Sequence, residues 1–145
     1  MRRISIKSVP FSCVLLAVLG CGADDGRIEV YPVHGKVLVK GQPAEGATVT
    51  FYSTTTGGEA TKAPIPTATT DANGEFHLRS YEENDGAPAG EFKVTVVWPA
   101  PPPANASGIF EVKDRLASRF ADPQKTTLSA KVAEGENEIP PFELQ

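Results

Sequence analysis

Two histidines, His34 and His77, have the side-chain chemistry to bind a metal ion or to act as a base. Each stands on the polar phase of an alternating segment, beside apolar residues that point the other way, so we expect both to face solvent. A metal site would require the two histidines on adjacent strands together with a third ligand, and the exported part offers no second cysteine. The sequence therefore predicts no metal site and no cofactor.

Serines and one acidic turn are the other candidates for chemistry. The acidic segment 71–75 (Asp-Ala-Asn-Gly-Glu) lacks the further oxygen ligands and the terminal glutamate of a calcium loop, and its Asn-Gly pair is typical of a tight turn. No nucleophile-elbow pattern surrounds any of the serines, which include Ser53, Ser80, Ser107, Ser118 and Ser129. We therefore predict no catalytic residue, and a protein that is not an enzyme.

Cys21 carries the strongest chemical signal in the chain. A basic start is followed by the apolar run 11–19, which is too short to cross a bilayer but has the length of a signal-peptide hydrophobic region. Small Gly20 stands directly before the thiol. This order resembles the bacterial lipoprotein signal, which implies that residues 1–20 are a removed signal peptide and that Cys21 becomes an acylated, palmitate-bearing N-terminus.

Two alternatives to this export signal stay open. Ordinary secretory cleavage would leave Cys21 unmodified, and the Arg2-Arg3 pair also fits a twin-arginine route. Under the lipoprotein interpretation the protein is lipid-anchored in the cell envelope, on the exported side of a bacterial membrane. Whether the anchor sits in an inner or an outer membrane is left undecided by the sequence.

The charge of the chain excludes one class of partner. Removing residues 1–20 leaves eleven basic residues against eighteen acidic ones, a formal charge of −7. A chain with this excess of negative charge does not attract nucleic acid, and its attachment to a membrane would depend on the acyl anchor. Cys13 lies inside the signal, so we expect no disulfide. Residues 21–30 are predicted to be the lipidated cysteine and a tether, and 31–145 a single domain.

From Val33 onward, apolar residues recur at every second position, which is the period of a β-strand. The longest run, Phe92 to Trp98, predicts a central strand, and Pro140-Pro141 restrict the last strand to an edge or a bulge. The pattern predicts an all-β domain of seven strands. One short helix is expected at about 110–119, where apolar residues stand at near-helical spacing.

Several segments together resemble a known family: 33–37 (Val-His-Gly-Lys-Val), 41–49, 70–76 and 90–96, and, near the end of the sequence, 119–123, 127–128, 135–137 and 142–144. They are similar to the carboxypeptidase regulatory-like, or transthyretin-like, β-sandwich domains of small bacterial lipoproteins. The resemblance covers roughly residues 31–145. It implies a seven-stranded immunoglobulin-like or transthyretin-like sandwich.

This resemblance implies a fold and no chemistry. The one enzyme group with this architecture, the hydroxyisourate hydrolases, ends in Tyr-Arg-Gly-Ser, whereas this chain ends Phe142-Glu143-Leu144-Gln145. We therefore expect a non-catalytic structural or protein-interaction module of the envelope, whose partner is an envelope protein or polysaccharide. The alternative function is a carbohydrate- or peptide-binding module, and a hydrolase is the third and least favoured interpretation. Recognition is expected in loops 53–66 and 81–89 and in the proline-rich segment 99–103.

Overall fold

The computed structural model describes residues 26–55, 62–102 and 111–145. These residues form two β-sheets and no α-helix, which confirms the all-β sandwich. The strands are β1 (Val33–Val39), β2 (Gln42–Pro43), β3 (Thr48–Ser53), β4 (Thr67–Thr69), β5 (Glu75–His77), β6 (Gly90–Val97), β7 (Ser129–Val132), β8 (Asn137–Glu138) and β9 (Phe142–Leu144).

Strand β1 is the centre of the five-stranded sheet. It pairs antiparallel with β2 and β5, and parallel with β8 and β9. The Val37 N–H donates to Gly74 O, and Val37 O accepts from Ala44 N–H, so β5 and β2 follow one another along the same edge of β1. His34 O accepts from Ile139 N–H at the opposite edge, where β8 and β9 lie on either side of Pro140-Pro141. Because proline cannot donate to a ladder, this edge position fits the last strands.

The four-stranded sheet has the order β4-β3-β6-β7 and is antiparallel throughout. Strand β6 lies between β3 and β7, so the predicted central strand is confirmed. Its pairing with β3 places Phe51 opposite Val94, and Val49 opposite Val96, on the buried face.

Phenylalanine rings join the two sheets. Phe51 of β3 meets Phe76 of β5 edge-on at 6.4 Å between ring centroids, and Phe76 stacks on Phe142 of β9 at 6.2 Å. Phe51 also contacts Phe92 of β6 at 5.6 Å, so one chain of rings crosses the sandwich. The buried apolar residues include Val33, Val37, Ala44, Ala47, Val49, Phe51, Ala68, Phe76, Leu78, Ala87, Phe92, Val94, Val96, Leu116, Val132, Ile139, Phe142 and Leu144.

The prediction of a helix at about 110–119 is wrong for the described residues 111–119, because 111–114 are not helical and 115–119 form turns. The carboxylate of Asp114 accepts hydrogen bonds from the backbone N–H groups of Leu116 (3.0 Å) and Ser118 (2.9 Å), so a side chain satisfies donors that a helix would pair with carbonyls. Ala117 and Ser118 have φ angles of 52° and 57°, outside the right-handed helical region. Phe110 and the predicted helix start lie outside the described residues.

The count of seven strands is also corrected, because the described residues form nine. The additional strands, β2 and β8, are two residues long, too short to show an alternating pattern. The tight turn at residues 71–74 is present, with Gly74 N–H donating to Asp71 O at 2.9 Å. Its two flanking strands nevertheless separate, since β4 joins the four-stranded sheet and β5 the other.

Within 26–55, 62–102 and 111–145, no helix is long and apolar enough to cross a membrane.

Candidate functional site

The predicted lipidation site, Cys21, lies outside the described residues, as does the signal peptide 1–20. The end of the predicted tether is described and contacts the domain. Ile28 N–H donates to the Tyr81 hydroxyl at 3.1 Å, and the Arg27 guanidinium lies 3.5 Å from Glu82 Oε1. The chain therefore meets the sandwich at the loop that carries Tyr81 and Glu82.

That loop is held together by Asp85. Its carboxylate accepts hydrogen bonds from the backbone N–H groups of Ser80 (2.6 Å), Glu82 (2.8 Å) and Tyr81 (2.9 Å). Burial by itself would raise the pKa of Asp85, but these backbone donors outweigh burial and hold the pKa below its ordinary value. An internal carboxylate therefore fixes the conformation of a loop that was expected to carry recognition.

The two histidines are brought together, which the sequence did not show. His34 of β1 and His77 of β5 are directly opposite in the register, with ring centroids 5.8 Å apart. Both lie on the outer face of the five-stranded sheet, as expected from their polar phase. The described residues contain no group of three or more His, Cys, Asp or Glu side chains arranged to hold a metal ion.

Sequence reasoning missed the site around Trp98. Trp98 directly follows β6, and its indole Nε1–H donates to Glu45 O at 2.8 Å. The guanidinium of Arg115 lies 3.5 Å from the centre of the indole ring, a close cation–π stack. Arg115 lies within the segment 110–119 for which a helix was expected; its described residues form no helix, and Arg115 stacks on the tryptophan.

Asp114 positions the stack. One oxygen of its carboxylate accepts from the Trp98 N–H at 2.9 Å, and the Arg115 N–H donates to Trp98 O at 2.7 Å. Together with the bond from Ala100 N–H to Lys113 O at 2.7 Å, one side-chain and two backbone hydrogen bonds fasten residues 113–115 to the chain that follows β6. The only clue in the sequence was Asp114 itself, since aspartate favours side-chain to backbone bonds in turns.

The Trp98–Arg115 stack separates two hollows at this end of the sandwich. One, of about 720 Å³, is lined mainly by apolar residues, together with Gln42, Glu45 and Arg115, and we call it the proline hollow. The other, of about 550 Å³, holds three cationic side chains and, among the described residues, no aspartate or glutamate, and we call it the cationic hollow. Members of the proline hollow include Pro43, Pro99, Pro101, Pro102 and Val112; the cations of the second are Lys40, Arg115 and Arg119.

Backbone strain is concentrated at the same end. Four non-glycine residues in the described chain have left-handed φ angles, and three of them, Lys40, Ala117 and Ser118, belong to the turns around these hollows. Such conformations cost free energy and tend to be kept at functional positions. The proline-rich segment named from the sequence reaches this site at Pro99, Pro101 and Pro102.

Comparison with known proteins finds one family model that matches part of the chain. Residues 33–98 match the model of a family described as a domain of unknown function, DUF6795. Among solved structures, the chain is similar to a 9R-lipoxygenase from Cyanothece PCC8801, with 12% sequence identity and a TM-score of 0.43. The alignment covers 80% of this chain and 16% of the lipoxygenase chain, so this chain spans about a sixth of that protein's length. No curated protein matches the chain.

Proposed function

We propose that the protein is a lipid-anchored lipoprotein of the bacterial cell envelope, whose β-sandwich is a non-catalytic protein-interaction module of the transthyretin-like type. The anchor is acyl-Cys21, exposed on the exported side of a membrane after removal of residues 1–20. The support for export and anchoring is the ordered signal in the sequence, a basic start, a short apolar run and a small residue before the thiol.

The observation that carries the interaction role is the Trp98–Arg115 stack between its two hollows. Tryptophan and arginine are the residue types that dominate binding energy at protein interfaces, and here each supports the other. The proline hollow offers an apolar surface that includes Val112, whose side chain is 58% exposed. The cationic hollow offers Lys40 to carboxylates, and beside it the Arg119 guanidinium donates a hydrogen bond to Gln145 O. A protein segment with an apolar side chain followed by an acidic one would bind both hollows at once, the apolar side chain in the proline hollow and the acidic one in the cationic hollow.

Cross-linking in native membranes tests the interaction role. We would introduce a single cysteine at Val112 or at Gln42, both beside the hollows, and compare them with Glu91 and Lys93 on the outer face of the four-stranded sheet. The first two positions should capture one and the same envelope protein. Capture of polysaccharide would favour the carbohydrate-binding alternative, and stronger capture from the sheet face would refute the assignment of the site.

The captured partner then permits a quantitative test. Arg115→Ala should weaken its binding by tenfold or more, because the substitution removes a charge and uncovers the indole. Lys131→Ala is the matched control, since Lys131 is an exposed cation on edge strand β7. The chain has one tryptophan, so the emission of Trp98 reports directly on occupancy of this site. A partner that binds without changing that emission would bind elsewhere.

The anchor has a control within the same chain. Cys21→Ser should abolish incorporation of labelled palmitate and release the protein from membranes after a carbonate wash. Cys13→Ser changes a thiol in the same segment and should leave labelling intact, because Cys13 precedes the expected cleavage point. Equal labelling of the two variants would contradict the lipoprotein interpretation.

A further inference from the structure

The outer face of the five-stranded sheet brings together both histidines of the chain. Leu78 N–H donates to Val33 O, and Val37 N–H donates to Gly74 O, so these hydrogen-bonded positions lie on either side of the His34–His77 pair. The alternation of an antiparallel ladder therefore makes His34–His77 a non-hydrogen-bonded pair, the type in which facing side chains stand closest. The two imidazoles are held side by side by the register itself.

The distance between the two rings fits a metal ion that both imidazoles coordinate. With a metal to nitrogen distance of about 2.0–2.1 Å, a metal ion lies about 3.2 Å from the centre of each coordinating ring. Two such rings have centres about 5.2 Å apart in a tetrahedral arrangement and about 6.4 Å apart in a linear one. The observed 5.8 Å lies between these limits. Small rotations of the side chains would direct one nitrogen of each ring to a common point.

The surroundings supply negative charge and space. Glu138 of β8 is paired with His34 on its other side, so His77, His34 and Glu138 form one row across the sheet on a common face. In the next row, Lys36, the cation that lines the same hollow, forms an ion pair with Glu75 at 3.6 Å. A hollow of about 340 Å³ over both rows has room for water ligands. Neither imidazole forms a hydrogen bond or an ion pair with another described residue, so the ring nitrogens of both are available to a ligand.

We propose that His34 and His77 form a binding site for a divalent transition-metal ion, with Glu138 beside it and water completing the coordination. Imidazole nitrogen suits Cu²⁺, Ni²⁺ and Zn²⁺, with Cu²⁺ held most strongly, whereas Mg²⁺ and Ca²⁺ prefer oxygen. The site lies on the sheet face and is independent of the Trp98 end. A metal bound across β1 and β5 links two strands and so stabilises the folded protein.

The test uses the full chain, untagged, in detergent, titrated separately with Cu²⁺, Ni²⁺, Zn²⁺ and Mg²⁺. We expect saturable binding of one transition-metal ion, no binding of Mg²⁺, and a rise of several degrees in the thermal midpoint at excess metal. The electron paramagnetic resonance spectrum of bound Cu²⁺ should show coupling to two imidazole nitrogens, which can come only from these two histidines.

Variants decide the assignment. His77→Asn and His34→Asn should each weaken binding at least tenfold and remove one nitrogen from the spectrum, and Glu138→Gln should weaken it less. Glu75→Gln is the matched control, because it removes a neighbouring carboxylate and leaves both imidazoles in place. Trp98 emission and circular dichroism verify folding of every variant. Unchanged affinity in a folded His77→Asn variant, or no saturable binding by the wild-type chain, would overturn the proposal.

Discussion

Gly35 on β1 gives the sharpest test of how the sandwich is packed. A Cβ atom added at Gly35 would lie 2.7 Å from Cζ and 2.9 Å from Cε1 of Phe76, and 3.2 Å from Cβ of Ile139. Carbon atoms in good contact stand about 3.5–4.0 Å apart, so the Phe76 ring would have to move by about 0.8 Å. The ring is buried and contacts Phe51 and Phe142, so little space is available for that shift.

The expected cost of Gly35→Ala follows from two opposing effects. Overpacking a core costs about 1–3 kcal/mol. Replacing glycine restricts the unfolded chain and returns about 0.4–1 kcal/mol. The φ angle of Gly35 lies outside the left-handed region, so no backbone strain is added. We therefore expect a loss of about 1–2 kcal/mol in the free energy of unfolding, which lowers the thermal midpoint by roughly 4–12 °C for a domain of this size.

A double-mutant cycle separates this clash from any other effect at the glycine. Phe76→Leu should cost about 1–2 kcal/mol by itself, because it leaves a void. In the presence of Phe76→Leu, the added methyl group of Gly35→Ala meets no ring, so the double variant should be at least as stable as Phe76→Leu alone. Denaturant unfolding of the full chain in detergent, followed by Trp98 emission, measures the free energy of unfolding of the wild type, the two single variants and the double variant. Additive losses would refute the packing argument.

Three further changes test other parts of the fold. Asp85→Ala should lower the free energy of unfolding by about 1–2 kcal/mol at pH 7, because three backbone donors lose a charged acceptor. The pKa of Asp85 is lower in the folded protein than in the unfolded chain. The stability difference between the variant and the wild type should therefore persist above about pH 4 and shrink as the pH falls through the folded-state pKa. Gly86→Ala should prevent stable folding as judged by circular dichroism, because its Cβ would lie 1.7 Å from Tyr31 O at a φ of 95°. Val94→Ala should cost about 2–3 kcal/mol in denaturant unfolding, against less than about 0.5 kcal/mol for exposed Lys93→Ala, and equal losses would contradict the assignment of the faces.

Several features of the sandwich could be predicted from the sequence because they depend on local pattern alone. Alternation identified the buried phase of β6, with Phe92, Val94 and Val96, since successive side chains of a strand point to opposite faces. The same rule assigned His34 and His77 to the outer face. Strict alternation would also place Thr95, between Val94 and Val96, on the exposed face. Thr95 is only 4% exposed, because the opposite phase of a strand can also be covered by other parts of the chain.

Pairing between distant segments was decided only by the tertiary structure. The sequence specified the turn at 71–74 but not that its flanking strands join different sheets, and it placed His34 and His77 on polar phases but not opposite one another. It likewise assigned Arg115 to a helix, whereas Asp114 fastens the turn to β6 and the arginine stacks on Trp98. The physical reason is that a periodic pattern encodes which face of a strand is buried, whereas register and neighbours depend on contacts between residues far apart in the chain.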